Sequence, residues 1–308
     1  MGARGSLAIS ENFGDCLDIR FSKIFTTEYA ERINESMIPM LFGMIGPAQL
    51  KMKSSYRVSG VGAMSDLEDF DGQIAYDTFS QLYDKTIEFP EKALGFKVER
   101  KLFDDDEFGI MDARPRQLAI SAARTREKKG AAMWNGAFVG TDGPDSVSLC
   151  NASHPFSPDD ATVQSNAGTS ALAPASVEAT RIIGFTSIFN DRGEMADVNY
   201  DTILIPVNLE ETAWEIINSK GAVNTADNNA NFHYGRYKLA VWPRLTDINN
   251  WFMIDSRLAK LFLLWCDRIK GSLNFDRDFD TLQAKWSFYE RYNCAWADFR
   301  PVYGHNVS

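Results

Sequence analysis

The sequence predicts an α+β protein in which a long helix and an extended β-hairpin accompany more compact parts of the chain. Apolar residues recur at helical spacing between residues 111 and 138, which indicates the helix. Two segments with alternating polar and apolar side chains enclose an acidic stretch between residues 54 and 100, which indicates the hairpin. Residues 284–292 carry aromatic side chains on both faces, which is typical of a central strand.

Length and composition restrict the class of protein. The chain has 308 residues, 44% of them hydrophobic and 24% charged, as in folded proteins of one large or two moderate domains. Its formal net charge of −10 argues against a surface that coats nucleic acid. Four cysteines stand far apart without CxxC spacing, which favours reduced thiols over disulfides or a zinc site. We find no signal peptide, and no apolar run approaches the roughly 18 residues of a membrane span.

The first 50 residues do not resemble the start of a compact domain. A weak helical pattern over residues 18–33 is followed by a stretch rich in Met, Pro and Gly at residues 37–47. The apolar side chains of this stretch have no obvious covering element nearby, so either a second subunit or the chain's own core must bury them. The sequence leaves both possibilities open, and of the two we predict that another chain covers this stretch. The residues concerned are Met40, Leu41, Phe42, Met44 and Ile45.

Residues 54–100 are predicted to form two antiparallel arms around an acidic centre. Arms of about 20 residues would reach roughly 60 Å at ~3.3 Å per residue. A two-stranded ribbon with so few apolar side chains cannot build its own core, so we expect it to lie on another surface. The carboxylates of this centre are Asp66, Glu68, Asp69, Asp71, Asp77 and Asp84.

The long helix is predicted to begin between Asp112 and Arg114, because Asp112 suits the N-cap and Pro115 suits the first turn. The acidic run at residues 104–107 is more typical of a helix start than of a cation site. The middle of the helix is basic, which alone would indicate a solvated face. Opposite charge on the hairpin instead suggests that its carboxylates meet these side chains on an adjacent subunit. The leading candidates are Arg114, Arg116, Arg124 and Arg126.

The second half of the chain is predicted to contain a loop, an α/β stretch and a final β segment. Residues 161–174 have almost no large apolar side chain and are predicted to be a surface loop. Helices are predicted at residues 176–190 and 208–219, the second with Trp214, Ile216 and Ile217 facing inward. Strands are predicted at residues 202–206, 237–243, 250–255, 261–269 and 284–292, with a turn at 275–281.

No motif indicates an enzyme. The sequence lacks a dinucleotide-binding loop, a phosphate-binding loop, GxSxG and HExxH. His154 precedes Pro155 without an accompanying nucleophile, so we expect it in a turn or an interface. We therefore predict no catalytic residue, no metal ligand and no cofactor.

The order of these elements resembles that of tailed-bacteriophage major capsid proteins with the HK97-type fold, and more narrowly the Mu-like major head subunit family. The local signs are FKVER at 96–100 before DDDE at 104–107, Leu149 with Asn151 and HP at 154–155, ILIP at 203–206 before LEETA at 209–213, FDT at 279–281 with KW at 285–286, AWADFR at 295–300 and YGH at 303–305. The resemblance extends over most of the chain.

The resemblance implies five parts and a function. The parts are an N-arm (1–50), an E-loop (51–103), a P domain with its spine helix and following loop (104–174), an A domain (175–255) and a P-domain return (256–308). The implied function is a virion shell of hexamers and pentamers that encloses double-stranded DNA without sequence-specific binding and without a membrane. Copies of itself, a scaffolding protein, a portal and a cement or decoration protein are the implied partners, with assembly in the bacterial host cytoplasm. A separate scaffold is expected because the chain begins close to its arm.

Two alternatives remain open from the sequence. One is the shell of an encapsulin-like compartment built on the same fold, which packaged enzyme cargo would reveal. The other is an α/β enzyme whose hairpin is a dimerisation arm. Sedimentation separates a megadalton shell from a dimer.

Overall fold

The computed structural model describes residues 11–51, 53–67, 69–70, 72, 74, 76–78, 80–99, 110–141, 143–221, 230–278 and 283–308. Among the predicted features, Glu68, Asp71, the acidic run at 104–107 and residues 279–281 lie outside the described residues. The chain divides into two compact units. The first unit comprises Met1–Ser36, Pro90–Glu127 and Arg268–Tyr292, and the second comprises Met37–Phe89, Lys128–Asp267 and Asn293–Ser308.

The α-helices are α1 (Glu11–Asn34), α2 (Ile38–Leu41), α3 (Pro47–Leu50), α4 (Ala113–Asn135), α5 (Pro174–Thr186), α6 (Glu210–Asn218) and α7 (Ser256–Phe262). The strands are β1 (Gly43–Ile45), β2 (Ser55–Val61), β3 (Gln81–Glu88), β4 (Glu91–Glu99), β5 (His154–Pro155), β6 (Val163–Gln164), β7 (Ala167–Gly168), β8 (Thr202–Ile205), β9 (Lys238–Val241), β10 (Trp251–Ile254), β11 (Leu263–Asp278), β12 (Gln283–Trp296) and β13 (Val302–His305). Short 3₁₀ helices cover Ile110–Asp112 and Val207–Leu209.

Helix α4 begins where the sequence predicts. The 3₁₀ turn Ile110–Asp112 leads into it, and Pro115 occupies its first turn. The N–H groups of a first turn have no partner within the helix, so a proline there costs no hydrogen bond. Its 23 residues extend about 35 Å at ~1.5 Å per residue. Ala119 and Ala122 face a cluster with Phe25 and Phe288 in the first unit. The small alanines let the aromatic rings approach the helix backbone closely.

In the first unit, β12 has β11 on one side and β4 on the other, which confirms its predicted central position. β4 and β12 are antiparallel, with Val98 opposite Ala284. Strands β11 and β12 have 16 and 14 residues, more than the segments predicted for them. β11 continues to Asp278, so the predicted turn at 275–281 is wrong in its first half. A hairpin this long is fixed by cross-strand pairing, which local sequence patterns do not encode.

The second unit contains a five-stranded sheet in the order β7–β13–β10–β8–β9. β10 is antiparallel to both of its neighbours, whereas β9 is parallel to β8 and β7 is parallel to β13. Every residue of β8 and β10 is buried. Helix α6 adds Ala213, Ile216 and Ile217 to the core of this sheet. Trp214 does not face inward as predicted: it is 58% exposed, because the inward stripe passes through Ala213.

β2 and β3 form an antiparallel hairpin in the same unit, with Ser55 opposite Glu88. The predicted arms of about 20 residues are wrong, since these strands have seven and eight residues. The predicted second arm is divided at Pro90, which has no N–H to donate, and β4 pairs with β12 instead. Ile87 and Phe89 anchor the hairpin base in a cluster with Leu264.

The prediction that residues 161–174 form a surface loop is wrong at its centre. Asn166 is fully buried, and its Nδ2 donates to the carbonyls of Leu149 (2.8 Å) and Val302 (2.9 Å). Its Oδ1 accepts the N–H of Asn151 at 2.8 Å. One amide therefore satisfies three backbone groups, which explains why a polar segment lies inside the unit.

Candidate assembly surfaces

The loop between β2 and β3 exposes large apolar side chains. Leu67 is fully exposed, and the others are between 68% and 90% exposed. A cluster of exposed apolar side chains is typical of an interaction surface, because such side chains contribute stabilisation only when they are removed from water. The side chains are Met64, Leu67, Phe70, Ile74 and Tyr76. The sequence-based prediction for this segment rests on its acidic residues and does not include its apolar ones.

The predicted hairpin carboxylates occupy two kinds of environment. Asp66 and Asp69 are exposed. Asp84 forms an ion pair with Arg57 across the hairpin, and Asp77 lies 2.7 Å from Nη2 of Arg192. The pKa of Asp84 is lowered by hydrogen bonds, first from Ser59 and then from Arg57. The charges of Asp77 and Asp84 are therefore already balanced by arginines of the same chain.

The four predicted arginines of α4 are also not equivalent. Arg126 is buried, with Nη1 3.2 Å from Oε2 of Glu290 and its guanidinium 4.7 Å from the ring of Tyr292. It holds the interior of the first unit together, so the prediction that it reaches an adjacent subunit is corrected. Arg116 lies 3.7 Å from Glu28 but keeps most of its side chain in solvent, and Arg114 and Arg124 are exposed.

The five apolar residues predicted to contact another chain have different positions in the second unit. Leu41 and Phe42 are each 1% exposed, and Phe42 packs edge-on against the rings of Trp134 and Trp265. The chain's own core therefore covers these two, and the expectation of cover by another chain is corrected for them. Met40 and Ile45 are half-buried, and Met44 is 44% exposed. Contact with a second chain stays a prediction for Met44.

His154 belongs to the packing of the second unit. Its Nδ1 lies 2.6 Å from Oδ2 of Asp145, and its ring stacks on Phe299 at 3.7 Å between centroids. The side chains of His154 and Asp145 are both buried. A substrate cannot reach an imidazole that is enclosed in this way. Asp145 was not predicted as the partner of His154, because no known motif in this segment links the two residues.

The cysteines with described side chains lack the properties of nucleophiles. Burial raises the pKa of Cys266 to about 12 and that of Cys294 to about 11, and it raises the pKa of Cys150 further. These thiols stay protonated near neutral pH. Over the described ranges, no group of three potential metal ligands occurs. No described helix is long and apolar enough to cross a membrane.

Comparison with known proteins agrees with this architecture. The profile of a family described as phage capsid protein matches residues 83–304. No curated protein sequence matches the chain. The mature capsid of bacteriophage PhiM1 has a similar structure, with a TM-score of 0.57 and 10% identity over 89% of this chain and 87% of that one.

Two further solved structures have the same fold. A protein of Microbacterium phage Oxtober96 aligns with a TM-score of 0.55 and 11% identity over 89% of this chain and 91% of its own. A virus-like particle from Pyrococcus furiosus aligns with a TM-score of 0.53 and 8% identity over 91% of this chain and 96% of its own. The fold is thus shared by a phage capsid and by a virus-like particle from Pyrococcus furiosus, whereas the family that matches is described as phage capsid protein. The chain belongs to the phage capsid protein family, has the α+β HK97-type fold, and is a major capsid protein that forms an icosahedral bacteriophage shell.

Proposed function

We propose that copies of this chain form hexamers and pentamers, which build the shell around the double-stranded DNA of a phage. The observation that carries this proposal is the exposed apolar end of the β2–β3 hairpin, which one copy of the chain leaves uncovered. A second copy with a complementary surface would bury it. The net charge of −10 suits an enclosure that does not bind the packaged DNA tightly.

The parts implied by the resemblance give the proposed roles. The β2–β3 hairpin and its loop act as the E-loop, α4 is the spine helix of the P domain, and residues 175–255 form most of the A domain around the capsomer axis. Residues 1–50 serve as the N-arm and residues 256–308 complete the P domain. A scaffolding protein, a portal and a cement or decoration protein are the proposed partners, with assembly in the cytoplasm of the bacterial host.

We assign this chain a structural role and no catalysis. The family consists of structural proteins, and the buried cysteines and the enclosed His154 support that assignment. The match to the phage capsid protein family favours a genome-containing head over an enzyme-packaging compartment. Its match also argues against an α/β enzyme with a dimerisation hairpin.

Charge matching between copies is proposed for the exposed groups alone. Asp66 and Asp69 of one hairpin would lie against Arg114, Arg116 and Arg124 of an adjacent copy. Pairs of this kind set register and association rate more than affinity. Asp77, Asp84 and Arg126 take no part, because each has an ionic partner within its own chain and a side chain at most 24% exposed, whereas Arg116 stays 60% exposed beside Glu28.

Sedimentation and negative-stain microscopy of the purified protein test both proposals. The wild type should form megadalton particles, and Arg124→Glu should assemble less and regain assembly when combined with Asp69→Lys. Arg244→Glu is the matched control, since the side chain of Arg244 is exposed and its carbonyl, which accepts from Asn135 at the end of α4, is kept in the variant. A wild type that stays a monomer or dimer contradicts the shell. Normal assembly of Arg124→Glu contradicts the charge pairing alone.

A further inference from the structure

A tight turn at residues 190–194 holds both sides of the β2–β3 loop. Nε of Arg192 donates to the carbonyl of Ala63 at 2.7 Å, on the side that follows β2. Nη2 of Arg192 lies 2.7 Å from Oδ2 of Asp77 and 3.4 Å from the carbonyl of Thr78, on the side that precedes β3. One guanidinium thus joins two segments of the loop that are separated by more than ten residues.

The neighbouring carboxylate strengthens the same connection. Oδ1 of Asp191 accepts the N–H of Ala63 at 2.9 Å, and its Oδ2 accepts the hydroxyl of Ser80 at 3.5 Å. A Cβ at Gly62 would fall 2.5 Å from Oδ2 of Asp191, so glycine permits this close approach. Asp191 and Arg192 together contact both sides of the loop base through side-chain atoms.

The turn that carries these two residues is itself well fixed. Oδ1 of Asn190 accepts the backbone N–H groups of Arg192 (2.9 Å) and Glu194 (3.0 Å). The N–H of Asn190 donates to the carbonyl of Glu194 at 2.8 Å, and Gly193 has a φ of +79°. An Asx turn with glycine in the left-handed region needs no contact with the loop in order to form. The turn therefore offers a preformed support.

Asp77 completes the arrangement on the loop side. Its Oδ2 also accepts the N–H of Ser65 at 2.7 Å. The hydrogen bond from Ser65 and then that from Arg192 lower the pKa of Asp77 to about 2, so the carboxylate stays charged in any neutral buffer. The exposed apolar residues, from Met64 to Tyr76, lie between the residues that the turn holds.

We propose that Asp191 and Arg192 form a latch, which fixes the base of the β2–β3 loop so that its apolar end is presented in one direction to a second copy of the chain. This inference rests on the proposed shell function and deepens it. A loop held at its base loses less conformational freedom on association than a free one, which favours assembly without adding a contact. The two residues are positioning residues, since the second copy touches the apolar end and not the latch.

Amide hydrogen exchange on dilute, unassembled protein tests the latch directly. The amides of Ala63 and Ser65 should exchange about tenfold faster or more in Asp191→Ala and Arg192→Ala, respectively, than in the wild type. Amides of β8 and β10 should keep their rates, as should all amides in the control Arg244→Ala. Arg192→Lys should be intermediate, because a lysine reaches Asp77 but cannot bond to Ala63 and Thr78 at the same time. Unchanged exchange in Arg192→Ala overturns the latch.

The assembly readout uses the same variants. The lowest protein concentration at which particles form should rise about tenfold in Arg192→Ala, rise less in Arg192→Lys and stay unchanged in Arg244→Ala. If Arg192→Ala particles form at the wild-type concentration, the latch does not serve assembly and the inference is wrong. If the wild type itself never forms particles, the proposed function is wrong, and the role of the latch in assembly falls with it.

Discussion

The β8–β10 pair and the β2–β3 pair are both antiparallel, and both belong to the second unit, yet they differ in how far their side chains are buried. Every residue of β8 and β10 is buried, whereas β2 has no buried residue and β3 has only Ile87. The chain supplies both faces that cover the first pair. It covers only the base of the second pair, through Ile87 and its neighbours. One pair is therefore complete in a single copy, whereas the proposed second copy would complete the other.

Different forces hold the two regions. Around β8 and β10 the stabilisation comes from apolar burial, at about 25 cal/mol per Å². The hairpin loop is held by partly exposed ion pairs such as Asp77–Arg192, and solvent screens pairs of this kind, so each contributes much less than the burial of an apolar side chain. Substitutions in the sheet should thus change the stability of the subunit, and substitutions in the loop should change its assembly.

The largest effect on stability is expected for Trp251→Ala in β10. Trp251 is fully buried, stacks on His305 at 4.1 Å between centroids, and donates from Nε1 to the carbonyl of Ser170 at 2.9 Å. The substitution leaves a cavity and an unpaired carbonyl, so the free energy of unfolding should fall by about 3–5 kcal/mol. Urea denaturation of unassembled protein measures it. Trp214→Ala is the matched control, and a loss just as large there would contradict the comparison.

A smaller effect is expected from acid, through His305 in the same sheet. Burial lowers the pKa of His305 from 6.5 to about 4, and its Nε2 lies 2.8 Å from the hydroxyl of Thr180. As pH falls below 6.5, His305 binds a proton in the unfolded chain but stays neutral in the folded chain until the pH approaches 4. Stability is therefore lost progressively between about pH 6.5 and 4, by at most ~1.4 kcal/mol per pH unit from this group.

The contribution of His305 is separated from that of other groups by His305→Gln. Burial also lowers the pKa of His233, and carboxylates titrate at the acid end of the range, so the wild-type curve alone is a sum. The free energy of unfolding should depend less steeply on pH in His305→Gln than in the wild type between pH 6.5 and 4.5. If the two proteins showed the same dependence of the free energy of unfolding on pH, the pKa of His305 would be the same in the folded and unfolded chains.

The same contrast explains which features the sequence could predict. Helix α4 was predicted correctly because Asp112, Pro115 and the apolar spacing are local signals. Strands β8 and β10 were predicted because they are short, continuously apolar runs. These elements need no knowledge of distant residues.

Features that depend on distant partners were missed or misplaced. Asn166 lies in a polar segment, and only the carbonyls of Leu149 and Val302 make its burial favourable. Arg126 has the same charge as Arg124, and only the position of Glu290 distinguishes a core ion pair from a surface group. The latch joins residues near 63 and 77 to Asp191 and Arg192 across more than 100 positions, a relation that composition and spacing do not carry.

The smallest effect on stability, with a large effect on assembly, is expected for Phe70→Ser in the β2–β3 loop. Phe70 is 75% exposed, so its loss should change the free energy of unfolding by less than about 0.5 kcal/mol. If a second copy buries this ring, the lost apolar area should raise the concentration needed for particle formation, since aromatic anchors dominate interfaces. Urea denaturation and sedimentation on one preparation separate the two effects.

Val139→Ser, at a similarly exposed site outside the hairpin, is the control. Equal assembly of the wild type and Phe70→Ser would mean that the ring stays in solvent within the shell, and the contrast between the complete sheet and the incomplete hairpin would then have to rest on the other apolar residues of the loop.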